Sequence, residues 1–224
     1  MDTKLGMTAQ TAVIFDLDGT LLDTLVDIAD SANAVLAQQG CPIHTLDDYR
    51  RFIGDGVSIL FQRALPAERN TPEMVNQCLQ GFDLEYGARW HAATQPYDGV
   101  TQLLAELQHR AIPLAILSNK PDGFTKQCVA RYFAAVPFVE VLGQRPHVPR
   151  KPDPAGAIEL SEKLHVPPAQ IWYLGDTPTD MQTARSAGMR AIGAAWGFRT
   201  ADELRSAGAS TIIAEPCELL ALLK

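Results

Sequence analysis

The chain has 224 residues, with 19 Lys+Arg against 26 Asp+Glu, a formal net charge of -7 and a pI of about 5.2. No basic stripe exists, so nucleic-acid binding is disfavoured, and no apolar run reaches the roughly 20 residues that span a bilayer. At 46% hydrophobic, the sequence can bury one core domain and a smaller insert.

Met1–Gln10 lacks the apolar stretch of a signal peptide. The first structured run is Ala12-Val13-Ile14-Phe15, continuing to Leu17, which reads as a buried parallel strand. Asp16 and Asp18 follow at its carboxyl end, and Gly19-Thr20 supplies turn chemistry immediately after. In open α/β sheets that end of a strand is where ligands bind. The next strand-like run, Pro113–Ser118, begins roughly ninety-five residues later, far more than a crossover needs.

The intervening segment reads as helical. Leu25, Ile28, Ala29, Ala32, Val35 and Leu36 recur at helical spacing, and Gly40 stands at a C′ position. Thr45 with Asp48 has the form of a capping box. Thr71-Pro72-Glu73 gives an N-cap, a proline at N1 and a first-turn acid, opening a helix to about Trp90. Gln95-Pro96-Tyr97-Asp98-Gly99 is a turn-rich return. Residues 24–94 are therefore expected to form a small helical domain, inserted into a core of residues 1–23 and 95–224.

Further strands are expected at Phe138–Leu142, Ile171–Gly175, Ala191–Ala195 and Thr211–Ala214, with helices between them. Alternating strands and helices imply right-handed crossovers and a parallel sheet. Cys41, Cys78, Cys128 and Cys217 are scattered without a C-x-x-C pair. They read as reduced thiols rather than a zinc site, which makes the cytoplasm the expected compartment. The five histidines read as structural or surface residues.

Two acids in one loop suit a hard cation such as Mg²⁺, which takes oxygen ligands. A carboxylate beside that cation can attack phosphorus, and a second carboxylic acid can protonate the leaving alkoxide and later deprotonate water. Ser118-Asn119 ends a strand where a hydroxyl and backbone N–H groups can meet phosphate oxygens, although both residues are also common helix caps. Lys120 reads as a rim cation. Lys151 lies in a proline-stiffened segment, Pro149-Arg150-Lys151-Pro152-Asp153-Pro154, that can aim one ammonium; Arg150 competes with it on spacing alone. Pro154 is expected at N1 of the following helix. Gly175-Asp176 repeats the pattern of an acid after an apolar strand. Asp180, four residues on, reads equally as a first-turn helix acid.

The motifs Asp16-Leu17-Asp18-Gly19-Thr20-Leu21, Ser118-Asn119, Lys151-Pro152 and Gly175-Asp176-Thr177-Pro178-Thr179-Asp180 stand in the order found in the haloacid dehalogenase (HAD) superfamily. From about Val13 to Phe198 the chain resembles that superfamily, and within it the phosphoglycolate phosphatase-like group. The resemblance implies a doubly wound, Rossmann-type α/β core with a helical cap. It implies Asp16 as nucleophile and Asp18 as general acid/base, Lys151 as the cation paired with Asp16, and Thr20, Ser118 and Asn119 on the phosphoryl group. It also implies Mg²⁺ on Asp16, Asp18 (through its backbone carbonyl) and Asp176, with Asp180 supporting.

The loop Arg51-Phe52-Ile53-Gly54-Asp55-Gly56-Val57 resembles the cap loop that carries specificity, and Arg51 and Gly54 are its candidate substrate contacts. The expected activity is Mg²⁺-dependent hydrolysis of a small phosphorylated metabolite, phosphoglycolate or similar. A sugar-phosphate mutase of the beta-phosphoglucomutase type and a pyrophosphatase are the alternatives on the same fold. A non-catalytic regulator is disfavoured because all four key residues are present, and C–halogen hydrolysis because Asp18 is an acid. Composition fits a monomer or a homodimer equally.

Overall fold

The computed structural model describes residues 11–223, so the reading of Met1–Gln10 lies outside the described residues. Six strands form one parallel sheet: β1 (Ala12–Phe15), β4 (Leu114–Pro121), β5 (Glu140–Gln144), β6 (Ile171–Gly175), β7 (Arg190–Ala194) and β8 (Thr211–Ile213). Their order is β5-β4-β1-β6-β7-β8, so β1 sits between β4 and β6 and the chain winds to both sides of it. The crevice at the carboxyl end of β1 is thus the topological switch point of a doubly wound sheet.

The two faces of the sheet separate with the strand period of two. Val13, Phe15, Leu114 and Ile116 pack on one face with Leu103 and Leu107 of α5 (Val100–His109), near Cys128 of α6 (Asp122–Tyr132). Ala12, Ile14, Ala115 and Leu117 pack on the other with Leu160 of α7 (Ala155–Leu164), Met181 of α8 (Pro178–Ser186) and Leu204 of α9 (Ala201–Ser206). A short α10 (Leu219–Leu222) ends the described chain. β1 is buried throughout, as its unbroken apolar run requires.

The expected strands are present with shifted ends. β1 stops at Phe15 because Leu17 turns: its carbonyl accepts from the N–H groups of Thr20, Leu21 and Leu22, and Gly19 takes φ +86°. β4 runs on to Pro121 through an irregularity between Leu117 and Pro121, and β5 begins two residues later than expected, paired with it at Gln144. Pro154 is the N-cap of α7 rather than N1.

Four helices interrupt the chain after the first loop: α1 (Leu25–Gln38), α2 (Leu46–Phe52), α3 (Val57–Ala64) and α4 (Pro72–Arg89). The expected apolar stripe of α1 is buried in a core of its own with Tyr49, Phe61, Cys78 and Phe82. Gly81 lets α4 approach α1 closely, since a Cβ there would stand 3.2 Å from Val35. Thr45 and Asp48 form the capping box of α2, and Thr71 caps α4 ahead of Pro72. The chain enters and leaves this layer through a two-stranded antiparallel ribbon, β2 (Leu22–Asp23) with β3 (Gln95–Pro96). Beside it the buried Asp27 carboxylate accepts hydrogen bonds from Ala93 N, Thr94 N and Thr94 Oγ1 at 2.7 to 3.1 Å. Among the described residues, no helix is long and apolar enough to cross a membrane.

Candidate active site

Two adjacent strands and one helix deliver acids to one point. Asp16 follows β1, Asp176 follows β6, and Asp180 stands in the first turn of α8, where it completes a capping box with Thr177. One carboxylate oxygen of each lies within 4.8 Å of the others, and all three residues are buried. The helix-capping reading of Asp180 is realised, and its second oxygen is left toward the cluster. Its Oδ2 accepts from Thr177 N at 3.0 Å and Thr177 Oγ1 at 2.6 Å, while Oδ1 faces the site.

Lys151 neutralises part of this cluster. Its Nζ lies 2.9 Å from Asp16 Oδ1 and 2.7 Å from Asp180 Oδ1, and it donates to Leu117 O at 3.1 Å. Three acceptors satisfy the three donors of one ammonium. Burial alone would lower the Lys151 pKa; Asp16 and Asp180 outweigh it and hold the pKa well above the ordinary value. Burial and the Asp180 charge push Asp16 well up despite Lys151. Burial, then Asp180, push Asp176 to about 7. Against three acids stands this one contacting ammonium, and every donor atom is a carboxylate oxygen. That set fits a hard divalent cation.

Glycines make the convergence possible. A Cβ on Gly19 or Gly197 would overlap the Asp176 carboxylate, and one on Gly175 would overlap the Asp180 side chain. Asp176 is further fixed by Phe198 N, which donates to Oδ2 at 2.8 Å, and by Thr20 Oγ1, which donates to Oδ1 at 2.8 Å.

Asp18 has a separate environment. It lies on the far side of the loop, paired with Lys120, whose Nζ is 2.9 Å from Oδ1 and 3.1 Å from Oδ2. Lys120 is buried, and the ring face of Tyr86 on α4 covers its ammonium at 4.6 Å. Burial would lower the Lys120 pKa, but Asp18 above all raises it. Lys120 is therefore an internal ion-pair partner of Asp18 and not a rim cation. Its position directly after Ser118-Asn119 was the one available signal. Tyr86 had none, because an aromatic at helical spacing reads as core.

A cavity of about 40 Å³ joins these groups to the helical layer. Asp16, Asp18, Ser118, Asn119 and Lys120 line its floor, and Gly54 and Gly56 part of its wall. It has room for a few waters.

The remaining expected residues take other roles. Ser118 reaches the cavity, and its Oγ accepts from Lys120 N at 3.2 Å. The Asn119 amide is committed: Oδ1 accepts from Lys151 N at 2.9 Å, and Nδ2 donates to Lys151 O and Gly54 O, each at 3.1 Å. The Thr20 hydroxyl is spent on Asp176 and lies outside the cavity lining. Arg51 is not brought to the site. It is exposed at the end of α2, and only its backbone carbonyl is engaged, by Arg63 and Arg199.

The family profile described as haloacid dehalogenase-like hydrolase matches residues 13–194. The chain belongs to the haloacid dehalogenase-like hydrolases. Its acid cluster, Lys151 and Asp18 all fall within the matched span. A phosphoglycolate phosphatase of Pseudomonas savastanoi pv. phaseolicola is 32% identical over 190 residues, 83% of this chain and 70% of that protein. One from Vibrio parahaemolyticus is 28% identical over 213 residues, 93% of each. Among solved structures, a Lactobacillus delbrueckii subsp. bulgaricus protein provisionally named a phosphoglycolate phosphatase superposes with a TM-score of 0.90 at 31% identity, covering 96% of this chain and 98% of that one. The haloacid dehalogenase-like chain is thus an enzyme whose curated relatives are phosphatases by name.

Proposed function

We propose that this hydrolase is a Mg²⁺-dependent phosphatase that cleaves a small phosphate monoester through an aspartyl-phosphate on Asp16. The observation that carries the reading is the division of labour between two acids on one loop. Asp16 is held by Lys151 inside the acid cluster, and Asp18 faces the cavity from its own ion pair.

In this reading an Asp16 oxygen attacks phosphorus, and the bond from phosphorus to the ester oxygen breaks. Asp18 gives its proton to the departing alkoxide. Asp18 then takes a proton from water, the water oxygen attacks the same phosphorus, and inorganic phosphate leaves with Asp16 regenerated. Asp16, Asp176 and the Asp18 backbone carbonyl would hold Mg²⁺, with Asp180 supporting them through Lys151; bound there, the ion would supply charge neutralisation for the phosphoryl oxygens. Lys151 adds a fixed positive charge to the same end, and Ser118 offers a hydroxyl from the cavity floor.

Residues 24–94 act in this proposal as a cap that closes over the ester and excludes water. The four free cysteines support a reducing, cytoplasmic setting. The relatives' names put phosphoglycolate first among the esters to try.

The test is phosphate release from p-nitrophenyl phosphate and small alkyl esters, with Mg²⁺ and with EDTA. Release that needs Mg²⁺ and disappears in Asp16→Asn is the expected result. Turnover that survives Asp16→Asn would sink the mechanism. Activity that requires a sugar bisphosphate primer would point to a mutase instead.

A further inference from the structure

The floor of the cavity is polar, but its upper wall is not. The helical layer contributes Ile28, Val57, Leu60, Phe82 and Tyr86, and Phe124 of α6 completes the surface facing Asp18. A leaving group whose ester oxygen reaches Asp18 must lie against this wall.

Among the described residues, Lys120 is the one cation in the cavity lining, and it is held by both Asp18 oxygens and by the Tyr86 ring. The arginines around the loop of residues 54–56 lie outside the lining. Arg63 pairs with Asp55, Arg150 donates to Asp55 O, and Arg199 donates to the carbonyls of Arg51 and Ile53. A carboxylate placed against this wall would lose its hydration without gaining a counter-charge, and it would lie beside Asp18.

One polar atom in the wall has no acceptor for its proton. The Tyr86 hydroxyl is buried beside the Lys120 ammonium, which can only donate, and Tyr86 lines the cavity. A buried hydroxyl left without an acceptor is destabilising, and such groups in native sites call for a ligand or water.

We infer that the organic part of the substrate is uncharged and mainly apolar, carries one neutral hydrogen-bonding group that pairs with the Tyr86 hydroxyl, and is not glycolate. Tyr86 is then a specificity-determining residue. The inference rests on the phosphatase reading and narrows it.

The experiment compares kcat/KM for propyl phosphate, its 2-hydroxy and 3-hydroxy derivatives, and phosphoglycolate, in wild type and Tyr86→Phe. At least one hydroxylated ester is expected to exceed phosphoglycolate by about tenfold or more, the equivalent of about 1.4 kcal/mol. Tyr86→Phe is expected to lower that ester about tenfold more than it lowers propyl phosphate. Butylphosphonate is expected to inhibit more tightly than 3-phosphonopropionate, a comparison free of differences in ester reactivity. Preference for phosphoglycolate, or tighter binding of 3-phosphonopropionate, overturns the inference while leaving the phosphatase reading intact. Equal losses on the hydroxylated and plain esters in Tyr86→Phe overturn the role of the hydroxyl. No hydrolysis of any ester overturns the phosphatase reading, and this inference with it.

Discussion

Lys120 and Asp18 form a buried ion pair, both carboxylate oxygens lying within 3.1 Å of one ammonium. Their side chains are 4% and 12% exposed, so bulk solvent screens the pair little. Lys120→Met leaves Asp18 without its counter-charge and removes the cation beneath Tyr86. Removing one partner of a buried pair typically costs about 3–5 kcal/mol. The expected outcome is a fall in stability toward that range and a loss of kcat on the order of ten- to a hundredfold as Asp18 loses its fixed orientation. Chemical denaturation and steady-state kinetics read the two effects. Wild-type turnover in a folded Lys120→Met protein would show that the pair does not position Asp18.

Asp16→Asn separates chemistry from folding. Burial and Asp180 already favour the uncharged form of Asp16, and Lys151 keeps Asp180 and Leu117 O as partners. A neutral amide of the same shape therefore changes stability by no more than about 1 kcal/mol, while turnover is lost. Thermal melts beside a phosphate-release assay check this; a large drop in Tm would show that the carboxylate is structurally required.

The pH dependence of the metal-free protein follows from Asp176, whose carboxyl is raised from 3.8 to about 7 by burial and by Asp180. Below the unfolded value both states are protonated, so the group contributes no pH dependence. Between about 4 and 7 the unfolded chain gives up this proton first, so its share of stability falls as pH rises, and it levels off above about 7. In EDTA, wild type is expected to lose Tm across that window more steeply than Asp176→Asn. Added Mg²⁺ needs ionised oxygens, so its stabilising shift is expected to be larger at pH 8 than at pH 5.5. Parallel pH profiles for the two proteins would contradict the assignment.

Gly197→Ala tests the closeness of the loop after β7 to the acids. Its Cβ would stand on Asp176 and on the Gly19 carbonyl, so the loop or the carboxylate must move. Overpacking of this kind costs about 1–3 kcal/mol, and most activity should go with it. Gly123→Ala in α6 is the control: its Cβ meets nothing within 4 Å, and the change should be neutral or mildly stabilising. Calorimetry and kinetics on both variants decide it; an active Gly197→Ala enzyme would show that the loop yields freely.

The sheet was legible because burial on both faces leaves an unbroken apolar run, as in Ala12–Phe15 and Ile171–Gly175. The helical stripe of α1 was legible because its buried positions repeat every three or four residues. Asp16 and Asp176 could be read as candidate site residues because an acid after a buried strand is costly without a partner or a metal; Lys151 was separated from Arg150 only by its resemblance to a family motif. What the sequence hid were contacts between distant segments. Nothing near Lys120 announces that it meets Asp18, 102 residues away. The Tyr86 hydroxyl carries no local signature, and the closeness of Gly197 to Asp176 exists only once two strand-end loops are brought together. Arg51 failed as a candidate for the opposite reason: a helix-end cation is at home in water, and there the chain leaves it.

Asn119 Oδ1 accepts from the Lys151 N–H, while its Nδ2 donates both to the Lys151 carbonyl and to the Gly54 carbonyl in the cavity wall. Any displacement of Gly54 would therefore pull on the amide that also holds the Lys151 backbone, so the wall of the cavity and the aim of the lysine are linked through one side chain.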